Sequence, residues 1–126
     1  MSDLFGRPCP CGTGTGYHAC CGPLHHGERH AATAEELMRS RYAAYVCGDA
    51  DYLFRTWHPR TRPADVTIDA DVLWIGLDVT DAAAGGHDDD RGEVEFTAVF
   101  AGGEMHERSR FERRAGRWFY VGGDVW

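Results

Sequence analysis

Between residues 33 and 48, apolar positions recur at the three- and four-residue spacing of a helix. They are Leu37, Met38, Tyr42, Ala44, Tyr45 and Val46. Thr33, followed three residues later by Glu36, matches a capping box at the start of this helix, and Gly48 suits its C-terminal end. The pattern therefore predicts a first helix from about residue 34 to residue 47.

A second, shorter helix is predicted directly after the first. Asp49 can cap its N-terminus, and the helix should continue to about Thr56 and end before Pro59. The segment 60–71 has no clear period, and we expect a short irregular or helical link there.

From residue 72 onward the apolar residues occur in the short runs and alternating patterns of β-strands, separated by turn residues. The pattern predicts four strands, at 72–79, 94–100, 105–112 and 117–122. The polar, acidic segment DAAAGGHDDDRG (81–92) is predicted to be a loop, and its run of Asp residues a solvated surface. Two helices followed by an antiparallel meander predict an α+β fold.

Composition narrows the function classes. The chain has 126 residues, 43% of them hydrophobic and 26% charged, which is ordinary for one globular domain. No apolar run approaches the roughly 18 residues of a membrane span, and the N-terminus lacks a secretory signal pattern. We therefore expect a cytoplasmic protein without a membrane partner. The formal net charge of −7 argues against nucleic-acid binding.

Four of the five cysteines fall within one short stretch, CPCGTGTGYHACCG. Cys9, Cys11, Cys20 and Cys21 follow the pattern C-x-C-x8-C-C, and thiolates are preferred ligands of a tetrahedral zinc ion. Glycines in the intervening segment allow the chain to turn back on itself. The stretch therefore predicts a structural Zn²⁺ site.

Other uses of these cysteines are disfavoured. Disulfides are rare in the cytoplasm, and a catalytic thiol needs one favoured nucleophile with a base. One of His25 and His26 could replace a thiolate ligand, but we expect these histidines to lie in an exposed loop.

The same stretch resembles the SEC-C motif, a short zinc-binding module with C-x-C-x8-C-[C/H] spacing. The resemblance places Cys9, Cys11, Cys20 and Cys21 at the ligand positions and implies Zn²⁺ as the metal. Modules of this kind often carry several Lys between the ligand pairs, whereas the insert GTGTGYHA carries none. The resemblance therefore implies the metal more strongly than it implies a binding partner.

Two further blocks, MRSRYAAYVCGDADYLFRTWHPRTRP and ERSRFERRAGRWFYVGG, resemble the YchJ-like family of small bacterial proteins. The resemblance implies a SEC-C motif over residues 1–30 and a nuclear-transport-factor-2-like domain over 31–126. Such a domain is a cone, in which a curved antiparallel sheet is closed by helices around a pocket. This resemblance implies a fold and a metal, not an activity.

The inner face of the cone would carry the candidate pocket residues. Alternation on the third strand places Glu107 and Ser109 on the same face as Phe111, which should seek the core. With Trp57 and His58 from the end of the second helix, they could support acid–base chemistry. In the alternative reading, Glu107 forms a buried ion pair with Arg41 or Arg39 and has a structural role.

The aromatic residues Trp57, Trp74, Tyr42, Tyr45 and Trp118 lie at helix or strand spacing, which favours core packing over a ligand-stacking site.

The sequence supports two hypotheses of function. The first, implied by the resemblance to SEC-C modules, is a noncatalytic zinc-binding adaptor that docks on another protein, in translation or protein export. The second is a small-molecule binder or acid–base enzyme of isomerase or hydrolase type that uses the cone pocket.

Overall fold

A computed structural model describes residues 7–126. Its elements are a 3₁₀ turn (Tyr17–Ala19), three helices and four strands. The helices are α1 (Cys21–His25), α2 (Ala34–Cys47) and α3 (Ala50–Arg55). The strands are β1 (Trp74–Ala84), β2 (Arg91–Phe100), β3 (Gly103–Arg114) and β4 (Arg117–Val125). Residues 1–6 of the predicted 1–30 module lie outside the described residues.

The predicted ends of α2 are confirmed. The Thr33 hydroxyl accepts a hydrogen bond from the Glu36 amide at 3.1 Å, and the Glu36 carboxylate accepts one from the Ala32 amide at 2.7 Å. Gly48 ends the helix with a φ of 77°, which glycine adopts without strain. Asp49 caps α3 by accepting a hydrogen bond from the Tyr52 amide at 3.0 Å. None of the described helices is long and apolar enough to cross a membrane.

The four strands form one antiparallel sheet in the order β1-β2-β3-β4, as predicted. The prediction of a loop over 81–92 is wrong at both of its ends. Residues 81–84 extend β1 and pair with 92–95 of β2, so the connection between the two strands is only residues 85–90. Pairing with the long β2 strand overrides the weak strand preference of Asp and Ala.

Helix α2 packs across one face of the sheet and forms the main core with it. Leu37 and Met38 of α2 are buried against Val94, Phe111 and Trp118 of the strands. The segment 60–71 has no regular secondary structure, although Val66 and Ile68 pack against this core. One face of the sheet is thus covered by helix and link, and a cavity remains between them.

Candidate metal centre and cone cavity

The four clustered cysteines converge on one point. The Sγ atoms of Cys9, Cys11, Cys20 and Cys21 all lie within 4.8 Å of one another, and none forms a disulfide. The Sγ atoms of Cys11 and Cys20 are 3.6 Å apart, and those of Cys20 and Cys21 are 4.0 Å apart. Four thiolates around a zinc ion at about 2.3 Å lie about 3.8 Å from one another, so the donor set fits a tetrahedral metal.

The opposing pKa shifts of these thiols are also consistent with a cation-binding site. Hydrogen bonds from Cys21 and Cys9 lower the pKa of Cys11, whereas the interaction with Cys11 raises the pKa of Cys9 to about 12 and also raises the pKa of Cys21. One thiolate is therefore favoured at the expense of its neighbours. A divalent cation bound between them would remove this conflict, because it stabilises every thiolate it touches.

The loop between the cysteine pairs folds back because its glycines allow it. Gly12 and Gly14 have φ values of 86° and 85°, in the region that disfavours other residues. The Cys9 amide donates to the Thr15 carbonyl at 2.8 Å, which closes the loop. The chain then passes through the 3₁₀ turn and enters α1 at Cys21. Adjacent Cys20 and Cys21 reach one point because the backbone changes direction at Cys20, the residue between the two helical turns.

The cysteine cluster is docked on α2. Cys9, Cys11 and Cys21 are buried together with Ala43 of that helix. Arg39 donates from Nη1 to the Cys11 carbonyl oxygen at 2.8 Å, which fixes the loop between the two cysteine pairs (the cysteine loop) to the same helix. The cysteine segment and the α+β body therefore share a packed interface.

His25 does not lie in an exposed loop, so that expectation is wrong. It is buried at the end of α1, with Nδ1 2.7 Å from the Tyr17 hydroxyl and Nε2 2.8 Å from the Ser40 carbonyl oxygen. Because a carbonyl only accepts, Nε2 carries the proton and Nδ1 accepts from Tyr17. Burial lowers the pKa of His25. His26 is exposed, as expected.

A second candidate site is a cavity of about 210 Å³ between the sheet, α2 and the end of α3. Much of its wall is aromatic. These aromatic residues include Tyr42, Tyr45, Trp57, Trp74, Phe96 and Tyr120. Of the five aromatic residues that the sequence assigned to core packing, four line the cavity, and only Trp118 is a core residue without a place in its wall.

Glu107 and Ser109 both line this cavity, side by side on β3. Ser109 Oγ donates to Glu107 Oε2 at 2.6 Å, and the Tyr120 hydroxyl donates to the same oxygen at 2.9 Å. Burial, followed by the charge of Glu107, raises the pKa of Tyr120. Within residues 7–126 Glu107 forms no ion pair, so the predicted pairing with Arg41 or Arg39 is not found.

Arg41 also lines the cavity and is anchored by the backbone end of α3. Its Nη1 donates to the Leu53 carbonyl oxygen at 2.9 Å and to Thr56 Oγ1 at 2.7 Å. The guanidinium lies 4.5 Å from the ring centre of Tyr120 and 5.2 Å from that of Trp57, at cation–π distance. Burial lowers the pKa of Arg41.

The structure does not bring Trp57 and His58 to the same place. Trp57 lines the cavity, and its Nε1 is the one fully buried side-chain polar atom without a hydrogen-bond partner in the described part of the chain. His58 is buried outside the cavity wall, where Nδ1 accepts from the Arg60 amide at 3.0 Å and Nε2 lies 3.8 Å from Glu112. The cavity therefore holds Glu107 without the predicted imidazole.

Sequence reasoning missed Tyr120, which joins the two charged groups of the cavity. Alternation on the last strand gave the signal, because Tyr120 lies two residues from the buried Trp118 and so shares its face. It also missed Gly123, whose Cα lies against Glu107 and leaves room for its carboxylate.

Comparison with known sequences identifies the domain that contains this cavity. Residues 33–123 match the family model described as "YchJ, middle NTF2-like domain". A UPF0225 protein of Streptomyces coelicolor is 54% identical over 117 residues, which cover 93% of this chain and 94% of that protein. A UPF0225 protein of Deinococcus radiodurans is 50% identical over 120 residues, covering 91% of this chain and 87% of that protein.

Two solved structures share the fold. The solution structure of a SEC-C motif containing protein from Rhodopseudomonas palustris has a TM-score of 0.78 and 40% identity, covering 94% of this chain and 98% of that one. The crystal structure of a SEC-C motif containing protein from Psychrobacter arcticus has a TM-score of 0.75 and 29% identity, covering 94% of this chain and 82% of that one.

Proposed function

The chain belongs to the YchJ family, and from that premise we propose that it is a structural zinc protein that acts as a noncatalytic adaptor. One Zn²⁺ bound by Cys9, Cys11, Cys20 and Cys21 holds the N-terminal segment in its folded form. The observation that carries the proposal is the convergence of the four Sγ atoms within 4.8 Å. Four thiolate donors favour a soft or borderline metal over Mg²⁺ or Ca²⁺, and the resemblance of the cysteine spacing to the SEC-C motif favours zinc among such metals.

The donor set favours a structural role for the metal. Four thiolates complete a tetrahedral shell, whereas catalytic zinc sites keep one position open for water or substrate. When bound, Zn²⁺ would supply only charge and a crosslink between the two cysteine pairs. Three of the four cysteines are buried, so the metal would lie inside the interface with α2.

The adaptor role rests on what the folded surface offers a protein partner. Leu73, directly before the edge strand β1, and Ile75, within it, are 64% and 63% exposed. Exposed apolar side chains on an edge strand are typical of docking surfaces. We place this adaptor in the cytoplasm, where the four thiols stay reduced and available to the metal.

The metal is tested by elemental mass spectrometry on protein purified under reducing conditions without chelator. We expect one zinc per chain in the wild type and in Cys47→Ser, which removes the one cysteine outside the cluster. Cys20→Ser should lose the zinc. Metal-free wild-type protein whose clustered cysteines are oxidised in pairs would overturn the zinc site and make the cluster a redox device.

The adaptor role needs a separate test. Wild-type protein and Cys20→Ser are used as baits in parallel, with Cys47→Ser as the matched control. A partner captured by the wild type and the control, and lost with Cys20→Ser, is the expected result. Failure of all three baits to retain any reproducible partner would refute the adaptor role and leave the zinc site standing.

A further inference from the structure

The cavity contains two charged side chains that the structural zinc role does not use. Arg41 and Glu107 are only 6% and 9% exposed, and both line the cavity. A charge buried in apolar surroundings is costly unless it is paired. Yet these two groups do not pair with each other or with any other ionised side chain in the described part of the chain.

The guanidinium of Arg41 has unused donors. Both of its hydrogen bonds leave from Nη1, toward α3, and no described residue accepts from Nε or Nη2. The rings of Trp57 and Tyr120 hold the plane of the group in place. A fixed guanidinium with two neighbouring free N–H groups is suited to bind a carboxylate through two parallel hydrogen bonds.

Glu107 has an unused acceptor on the same cavity. Ser109 and Tyr120 both donate to Oε2, and no described residue donates to Oε1. These two donors also fix the carboxylate in one orientation. Tyr120 separates the two charges, because Arg41 lies over its ring and Glu107 lies at its hydroxyl. A ligand that satisfies both must present an anion at one end and a hydrogen-bond donor near it.

The space fits a molecule of this kind. An apolar cavity of about 150 Å³ holds benzene, which has six non-hydrogen atoms, so a cavity of about 210 Å³ suits an organic ligand of about seven to ten. Apart from Arg41, Glu107 and Ser109, the wall is aromatic, aliphatic or thioether in character. We propose that the cavity binds a small carboxylic acid with an α-amino or α-hydroxyl group and an apolar side chain.

In this complex each part of the ligand has one partner. The carboxylate accepts from Nε and Nη2 of Arg41, the α-amino or α-hydroxyl group donates to Oε1 of Glu107, and the side chain packs among the aromatic rings. An α-amino acid brings one charge of each sign and leaves the cavity with the same net charge. This proposal is independent of the zinc site and of the adaptor role.

Four probes of matched shape test the proposal on the zinc-loaded chain. They are L-leucine, 2-hydroxy-4-methylpentanoate, 4-methylpentanoate, which lacks the α donor, and L-leucinamide, which lacks the carboxylate. Binding is followed by chemical-shift changes in ¹H–¹⁵N spectra. We expect saturable shifts around the cavity with leucine or its hydroxy analogue, and at least about tenfold weaker binding of the other two probes.

The comparison between the first two probes identifies the donor. Leucine should bind more tightly than the hydroxy acid if Glu107 receives an ammonium group, and the order should reverse if it receives a hydroxyl. Glu107→Gln should reduce the preference of either probe over 4-methylpentanoate, whereas Glu112→Gln, outside the cavity, should not change it. Arg41→Lys should weaken the three carboxylates more than leucinamide.

Three results would overturn the proposal. The first is the absence of a saturable shift with any probe at about 10 mM. The second is equal binding of all four probes, which would indicate apolar packing alone. The third is a set of shifts that maps away from the cavity. If Arg41→Lys does not fold, the four probes on the wild-type protein still decide the question.

Discussion

Replacement of Gly123 by alanine should destabilise the protein through the cavity carboxylate. Gly123 lies on β4 opposite Ser109, and a Cβ atom there would come within 2.9 Å of Cδ and Cγ of Glu107 and closer still to its Oε2. Real Cβ atoms essentially never approach other atoms so closely. The φ of Gly123 is outside the positive region, so the cost comes from the contact and not from the backbone.

The size of the destabilisation follows from the hydrogen bonds that Glu107 must lose. To make room, its carboxylate has to leave the hydroxyls of Ser109 and Tyr120, which donate at 2.6 and 2.9 Å. A hydrogen bond to a charged group contributes about 1.5–3 kcal/mol, and an overpacked site costs about 1–3 kcal/mol. Because the two effects overlap, we expect the free energy of unfolding to fall by about 3 kcal/mol. In a chain of this length, that is a decrease in Tm of about 10 °C.

Denaturant unfolding of the zinc-loaded protein measures this loss of unfolding free energy, and two comparisons test its cause. Gly76→Ala is the matched control, because Gly76 is also in a strand, has no positive φ and has no atom within 4 Å of an added Cβ. It should be neutral or stabilising by up to about 1 kcal/mol. In a Glu107→Ala background, Gly123→Ala should cost less than about 1 kcal/mol. If the cost of Gly123→Ala is the same with and without Glu107, the reasoning is refuted.

Three further predictions concern other contacts. The His25 ring should be neutral with its proton on Nε2 near pH 7, seen by ¹⁵N NMR. Because its pKa is lowered in the folded protein, the contribution of His25 to stability is complete above about pH 6.5. It declines as the pH falls below that value, since the unfolded chain then binds the proton first. Titration of the folded protein's His25 at the ordinary histidine pKa would contradict this prediction. Arg39→Met should speed the loss of zinc to a chelator, because Arg39 holds the Cys11 carbonyl, whereas the exposed Arg110→Met should not. Arg108→Gln should lower the Tm by a few degrees, and the difference should shrink at about 1 M salt; equal loss at both salt concentrations would exclude ion pairing as the cause.

The predictions that succeeded from sequence depended on local rules. The cap at Thr33 and Glu36 and the left-handed glycine after α2 are set by neighbouring residues, so the residue types alone located the helix. The convergence of the cysteine cluster was predictable for the same reason, since the spacing of its four cysteines is short. Alternation on β3 likewise placed Glu107 and Ser109 on the buried face.

The predictions that failed depended on distant contacts. His25 is buried because Tyr17 and a carbonyl of α2 satisfy its two nitrogens, and the sequence near His25 gives no sign of the helix that supplies that carbonyl. His58 was expected beside Glu107, but its chain turns toward Glu112 instead. The sequence around His58 does not indicate on which side of β4 its ring lies. Whether an aromatic ring fills the core or lines a cavity is also decided by the space left between α2 and the sheet.

Helix α2 explains how one short chain supports two separate sites. Met38, Arg41, Tyr42 and Tyr45 follow the spacing i, i+3, i+4, i+7 and face the cavity, whereas Arg39 and Ala43, four residues apart, face the cysteine cluster. Arg39, Ser40 and Arg41 are consecutive in the middle of α2, so their side chains point in three different directions around the helix. Each contacts a different neighbour: Arg39 the cysteine loop, Ser40 the hydroxyl of Tyr52 on α3, and Arg41 the end of α3. These polar residues therefore determine how the cysteine loop and α3 dock on the helix, and Met38, Tyr42 and Tyr45 on either side of them line the cavity together with Arg41.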